Sequence, residues 1–373
     1  MSAHRVRTTA GACQQPTLPA GPLSGAGRGY TERVTAPTTR QKRATIFDVA
    51  AEAGVSRGTV SRVLNGEPYV SAAAREAIEA AIAKVGYVRN TAARNLAKQS
   101  SGAIALIVHE PDSVFIDDPN IGAILLGANA ALSAADYQLV SLIIDTERDS
   151  HRVTGYLGGG FVDGAIIVSA REDDPISQAI ADLRLPAVMV GRPDNQPQLP
   201  WVGIDNRGAA RQITERLQGT GRRRIGMIAA GLDRDSGRDR LAGFREALGD
   251  AFDASLVAHE RFYTYAAGVA GMTELLAREP RIDGVFAASD AIAAGALEAL
   301  RNAGRTVPGD VGIVGFDDSS WSLRAQPALS TVRQPAGQLG ARAAELVLEQ
   351  VRTGSLASNG ALLATEIIWR DSA

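Results

Sequence analysis

The side chains with the most evident chemistry lie within ten positions of one another. Ser56, Arg57, Gly58, Thr59, Ser61, Arg62 and Asn65 belong to the run TIFDVAAEAGVSRGTVSRVLNG, Thr45–Gly66. They offer hydroxyls, guanidinium forks, an amide and one position with no side chain. Such groups break no covalent bond unaided. They hydrogen-bond to phosphate oxygens and base edges, and an arginine fork matches O6 and N7 of guanine.

The elements that must position them follow from spacing. Ile46, Val49, Ala50 and Ala53 recur at i, i+3, i+4, i+7, one face of a helix. Thr45 with Asp48 predicts a capping box, and Gly54 a left-handed stop. Ser56 then caps a second helix that buries Val60, Val63 and Leu64 and turns Arg57, Gly58, Thr59, Ser61 and Arg62 outward. A third helix starts at Ser71, carries Ile78, Ala81, Ile82 and Val85 on one face and ends at Gly86. A short helix, a glycine turn and a second helix with a small, basic outer face suit a DNA-reading helix-turn-helix. A plain helical hairpin fits the hydrophobic spacing equally well.

Enzyme chemistry finds no foothold, and no cofactor is expected. His4, His109, His151 and His259 have no metal-ligand spacing. Gly158-Gly159-Gly160 and Gly219-Thr220-Gly221 lack the Lys-Ser/Thr of a phosphate loop, and there is no G-x-S-x-G elbow. Cys13 is the single cysteine, so neither an internal disulfide nor a cysteine metal cage can form. No apolar run reaches the roughly 18 residues of a membrane span, and the N-terminus has no secretory signal. A cytoplasmic protein is expected.

Charge divides the 373-residue chain. Residues 1–100 hold 14 Lys and Arg against 6 Asp and Glu, while residues 101–373 hold 25 against 35. The front end suits a polyanion and the body does not. Residues 1–43 read as a disordered tail rich in Pro, Gly and Thr, either a source of non-specific phosphate attraction or without a role. In residues 88–100, Ala92, Ala93, Leu96 and Ala97 would line a short helix with Arg89, Arg94 and Lys98 outward. A helix this short is unstable alone in water. It is therefore either a linker or a segment that folds on binding.

From Ser101 apolar strand-like runs alternate with helices. The runs are 103–108, 137–144, 164–169, 187–191, 225–230, 284–289 and 311–317, with helices between them such as 121–135, 208–218, 238–248, 291–303 and 338–351. This pattern predicts parallel sheets covered on both faces. There are too many units for one compact sheet. Two α/β lobes are expected, with a ligand crevice beyond the strand C-termini.

The chain resembles the LacI/GalR family of bacterial transcriptional repressors. The head matches in Thr45–Gly66, Val70–Ile82 and Gly86–Ala97. The body is similar to type I periplasmic sugar-binding proteins in VDGAII (162–167), VGIDN (202–206), RLAGFREAL (240–248), ASDAIAAGALEAL (288–300) and VPGDVGIVGFDD (307–318). The resemblance implies an all-α helix-turn-helix head at 44–89 and a hinge helix and linker at 90–100. It also implies a two-lobed, periplasmic-binding-protein-like α/β core at 101–373. Lobe 1 would take about 101–203 plus 334–357, and lobe 2 about 204–333 plus 358–373.

The resemblance also implies roles. Arg57, Gly58 and Arg62 stand where family members contact bases, with Gly58 smaller than the side chains some members carry. Thr45, Ser56, Thr59, Ser61, Asn65 and Tyr87 would mostly touch phosphates; Ser56 as a cap alone and Tyr87 as a packing residue are the plainer readings. Asn90, Ala93, Arg94 and Leu96 fall in the hinge, with Leu96 wedged into the minor groove. Arg89 replaces the usual proline. Arg192, Arg240, Ser289 and Asp317 match sugar contacts, with Ser289 in place of the common Asn. Asp118 begins a stretch where many members have an aromatic pair, so Phe115 or Trp321 would supply the stacking face. For each of these residues a surface salt bridge or strand-end cap is the bland alternative.

The implied protein is a repressor. It would bind a near-palindromic operator as a homodimer under control of a mono- or oligosaccharide effector. No Leu-rich heptad follows the core, so dimers rather than tetramers are expected. The alternative is a sugar-binding protein of a transport system, which the basic head and the missing export signal oppose.

Overall fold

The computed structural model describes residues 44–87, 100–171, 175–192, 199–355 and 359–373. They belong to two compact units, one up to Arg89 and one from Asn90 on. The tail expected at 1–43 lies outside the described residues. So does the expected hinge, with Asn90, Ala93, Arg94 and Leu96, apart from Ser100.

Among its described residues the first unit holds three helices, α1 (Ile46–Ala53), α2 (Arg57–Leu64) and α3 (Ala72–Val85). The Thr45 N–H and hydroxyl both donate to the Asp48 carboxylate, at 2.7 and 2.8 Å. Ser56 and Ser71 accept from the N–H groups of Thr59 and Ala74, at 3.2 and 3.3 Å. Each thereby satisfies a donor that the first turn leaves unpaired. Gly54 and Gly86 take φ of 66° and 64° and stop α1 and α3. Val49, Ala50, Val60, Val63, Ile78 and Ala81 are buried together.

The described residues of the second unit form three sheets. Strands β1 (Ala103–Val108), β2 (Gln138–Ile143), β3 (Gly164–Val168), β4 (Ala187–Val190), β5 (Trp201–Ile204) and β11 (Gly360–Leu363) form one parallel sheet, ordered β11-β5-β4-β3-β1-β2. Strands β6 (Ile225–Ala230), β7 (Val257–Glu260), β8 (Gly284–Ala287) and β9 (Gly312–Val314) form a second, ordered β7-β6-β8-β9. An antiparallel pair, β10 (Thr331–Arg333) with β12 (Glu366–Ile368), completes the set.

Successive residues of β1 go to opposite faces, as the two-residue period requires. Ile104, Leu106 and Val108 enter one hydrophobic cluster, and Ala103, Ala105 and Ile107 another. The first cluster is closed by α5 (Pro119–Ala134) and α13 (Ala336–Thr353), whose backbones approach closely. A Cβ on Gly127 would lie 1.9 Å from the Gly337 carbonyl oxygen, and one on Gly340 2.0 Å from that of Ile124. The second cluster is covered by α6 (Glu147–Gly158) and α7 (Pro175–Leu183). On the second lobe α8 (Asn206–Gly219) packs with α9 (Asp235–Leu248), and α10 (Tyr265–Arg278) with α11 (Asp290–Asn302).

One boundary differs from the expectation. Lobe 1 does not end at residue 357. Gly360 pairs with Trp201 and Leu363 with Ile204, so β11 extends the first sheet. The chain returns to the second lobe only at β12.

Candidate functional site

A cleft lies beyond the C-terminal ends of the parallel strands. Glu110 follows β1, Ser169–Arg171 follow β3, Arg234–Ser236 follow β6, Tyr263 follows β7 and Asp317 follows β9. The cleft encloses about 980 Å³ of empty space, its open mouth included.

Arg240 anchors one wall from the second turn of α9. It is buried, and its Nε donates to Asn206 Oδ1 at 3.0 Å. Its Nη1 donates to the Ala288 carbonyl at 2.6 Å and lies 3.6 Å from Asp317 Oδ1. The guanidinium lies 3.7 Å from the centre of the Phe316 ring. Asp317 holds a positive φ of 115°, which few non-glycine residues adopt. Its N–H donates to the Val332 carbonyl at 2.7 Å, and its Oδ1 accepts from Gln334 Nε2 at 2.6 Å. Burial raises the Asp317 pKa well above the usual carboxylate range; Arg240 opposes the rise, and Asp290 and Asp118 add to it. Asp118 is raised too, first by burial and also by Glu110, against hydrogen bonds from the N–H and side chain of Asn120.

A second polar group was not foreseen. Glu110 and Arg234 are buried and paired to each other. Arg234 Nε also donates to Asp233 at 3.1 Å, and Arg171 lies 3.9 Å from Glu110. Glu110 Oε2, Arg234 Nη2 and Arg171 Nε are buried and lack a hydrogen-bond partner. Leaving such atoms unpaired costs about 1–3 kcal/mol each. A molecule that both donates and accepts would relieve this. Tyr263 supplies the aromatic surface between Arg234 and Arg240, whose guanidinium carbons lie 5.9 and 5.6 Å from its ring.

Of the expected ligand contacts, Asp118, Arg240 and Asp317 line the cleft. Ser289 and Trp321 line a small recess shared with Asp118, Tyr263 and Asp317. Ser289 is occupied as the cap of α11, accepting from the Ile292 N–H at 3.2 Å, and Trp321 stacks on Tyr265. Arg192 and Phe115 differ from the expectation, since neither lines the cleft. The Arg192 guanidinium lies over Trp201, drawn by its ring, and only the backbone N–H reaches Asp235. Phe115 packs against the hydrophobic core, and Tyr263 provides the ring in the cleft instead.

In the first unit Arg57, Gly58 and Arg62 are exposed on α2. A Cβ on Gly58 would lie 3.7 Å from Ser56 Oγ and 3.9 Å from Arg62 Nη2, so Ser56, Gly58 and Arg62 share one surface. Arg57 sits over Phe47 of α1 at 4.6 Å, an orientation that spacing did not reveal. Thr59 and Ser61 are half-buried, with the Thr59 hydroxyl 2.9 Å from that of Ser56. Thr45 is half-buried and Asn65 is exposed. Tyr87 packs against the small core.

Among the described residues no three His, Cys, Asp or Glu groups stand together to hold a metal, and no helix is long and apolar enough to cross a membrane.

Residues 45–90 match the model for bacterial regulatory proteins of the lacI family, and residues 214–373 that for a periplasmic binding protein-like domain. The transcriptional regulator CelR of Thermobifida fusca is 42% identical over 338 residues, covering 89% of this chain and 99% of the relative. A solved CelR–cellobiose complex superimposes with a TM-score of 0.71 at 41% identity, covering 89% of this chain and all of that one. The lac repressor dimer bound to operator and the anti-inducer ONPF gives a TM-score of 0.80 at 26% identity, covering 89% and 99%. These relatives are transcriptional regulators, not enzymes.

Proposed function

Since the chain belongs to the LacI family of bacterial transcriptional regulators, we propose that it is a cytoplasmic repressor controlled by a short neutral saccharide. It binds a near-palindromic operator as a homodimer, with Arg57, Gly58 and Arg62 reading bases and Thr45, Ser56, Thr59, Ser61, Asn65 and Tyr87 setting register on phosphates. Asn90, Ala93, Arg94 and Leu96 act at the minor groove. The saccharide lies in the interlobe cleft on Asp118, Arg240, Asp317 and Tyr263, with Ser289 and Trp321 at its edge.

One observation supports the sugar reading above others. The cleft combines buried donors and acceptors that make no hydrogen bond with paired charges of both signs. An anionic ligand would face Glu110, Asp118 and Asp317, and a cationic one Arg171, Arg234 and Arg240. Vicinal hydroxyls donate and accept without net charge. The identity to CelR, solved with cellobiose, makes a β-linked disaccharide the first candidate.

The test is calorimetric titration of the full chain with cellobiose, glucose and glucose 6-phosphate, beside anisotropy on near-palindromic sites. We expect cellobiose to bind and the phosphate not to. Operator affinity should fall steeply with salt, as several phosphate contacts require. Selective binding of the anion, or of no saccharide at all, would refute the sugar assignment; salt-insensitive, unselective DNA binding would refute the operator assignment.

A further inference from the structure

The segment that leads from the DNA-reading unit joins the core at Ser100. The next residues converge on one carboxylate. Asp163 Oδ2 accepts from the Ser100 hydroxyl at 2.7 Å and from the Gly102 N–H at 2.8 Å. Its Oδ1 accepts from the Ser101 N–H at 2.6 Å. The Asp163 N–H donates in turn to the Ala103 carbonyl at 2.8 Å. Hydrogen bonds to an ionised acceptor are about twice as strong as neutral ones, so residues 100–103 are held firmly to residue 163.

The other end of this arrangement is the cleft. Asp163 immediately precedes β3, whose five residues are all buried. Its last residue, Val168, and Ser169–Arg171 directly after it line the cleft. Ser169 there holds a φ of 58°, a left-handed conformation. At the near end Gly164 is fixed by close packing, because a Cβ would lie 2.8 Å from Val347 Cγ2 and 2.9 Å from the Pro186 carbonyl oxygen. Beside β3, β1 also runs from the clamped end at Ala103 to Glu110 in the cleft. Close-packed strands transmit strain rather than absorb it. A ligand that shifts Ser169–Arg171 therefore moves Asp163, and with it the start of the chain toward the DNA-reading unit.

We infer that Asp163 is a positioning residue for ligand control. It passes movement at the cleft to Ser100–Gly102 without lining the cleft itself. This rests on the ligand-controlled reading above. The chemistry makes the role testable. Asparagine keeps the size of the side chain but turns one acceptor oxygen into a donor. Either the Ser101 N–H, or the Ser100 hydroxyl and Gly102 N–H together, then meet an N–H₂ instead of an oxygen.

The experiment uses the full chain. Anisotropy gives operator affinity with and without saturating cellobiose, and calorimetry gives cellobiose affinity. For the unmodified protein the two operator affinities should differ by a factor in the usual range of about 5–150. For Asp163→Asn we expect the ratio to collapse toward one while cellobiose affinity stays within about threefold, since coupling and affinity are separate quantities. Ser100→Ala removes only the hydroxyl arm and should lose part of the ratio; it carries the test should Asp163→Asn fail to fold. A full ratio in both variants overturns the inference alone. So does a loss of cellobiose affinity in step with the ratio, which marks a structural role. An unmodified protein that binds operator and cellobiose with no change in ratio overturns the ligand-controlled reading, and the inference with it.

Discussion

Asp290 shows how strongly one buried group can depend on its surroundings. It opens α11, sealed from water, with Oδ1 accepting from the Thr331 hydroxyl at 2.6 Å and Oδ2 from the Ser319 N–H at 2.7 Å. Burial pushes its pKa up to about 7 against those two bonds, and Asp318 adds to the rise. A carboxyl raised in the folded state stabilises the protein fully below its unfolded pKa. That contribution is lost as pH rises from about 4 through 7. In Asp290→Asn the amide oxygen can keep the Ser319 bond while the N–H₂ donates to Thr331. The stability of the unmodified protein relative to this variant should fall by roughly 4 kcal/mol between pH 4 and 8. Urea midpoints across that range measure it, and a constant difference would show that Asp290 does not titrate there. Legibility at this scale was uneven. Arg240 and Asp317 stood out because they sit in recognisable runs. Glu110, Arg171, Arg234 and Tyr263 belong to no such run and meet only through the fold. Their shared signal is position, within a few residues of a strand's C-terminal end, where open α/β sheets place their ligands.

Among the elements, the helix pairs carry a constraint of their own. On the first lobe Gly127 and Gly340 let α5 and α13 touch backbone to backbone. The second lobe repeats the device, with Gly268 and Gly295 between α10 and α11 and Gly243 of α9 against Arg207 of α8. Gly340→Ala would drive a Cβ to 2.0 Å from the Ile124 oxygen. The helices must separate, an overpacking cost of about 1–3 kcal/mol. A drop in melting temperature of about 3–10 °C is expected, and an unchanged value would mean the pair tolerates a wider gap. The sequence foretold the helix-turn-helix unit to within a residue or two because its caps and apolar spacing are local signals. It foretold β1, β3, β6 and β8 because strands buried on both faces read as unbroken apolar runs. It did not mark β5, β7, β10, β11 or β12. VAHE at 257–260 is half polar, and β11 and β12 lie at exposed margins. A strand recruited by its neighbour needs little pattern of its own.

For the molecule as a whole, two compact units imply two melting events. The head's core is six small side chains, while the second unit spans two lobes. Cellobiose at a hundred times its dissociation constant adds roughly 2.7 kcal/mol to whichever unit binds it. Scanning calorimetry should show one transition moving upward and one staying fixed; two transitions moving together would place ligand energy in the head as well. The two-lobed division was legible from the number of strand-and-helix units, but the route between lobes was not, because β11 has no signature that assigns it to either sheet. That route has a consequence in time. The first lobe's sheet is begun by β1–β5 yet closed by α13 and β11, and everything from Asn206 to Pro335 is made in between. At ordinary rates of synthesis that interval is on the order of ten seconds. Throughout it Ile124, Ala128 and their neighbours have no α13 to cover them, whereas the head has its whole core from the outset. A ribosome therefore presents a finished first unit well before the second unit exists. On the proposed function, any nascent chain that found an operator in that interval would be deaf to its effector.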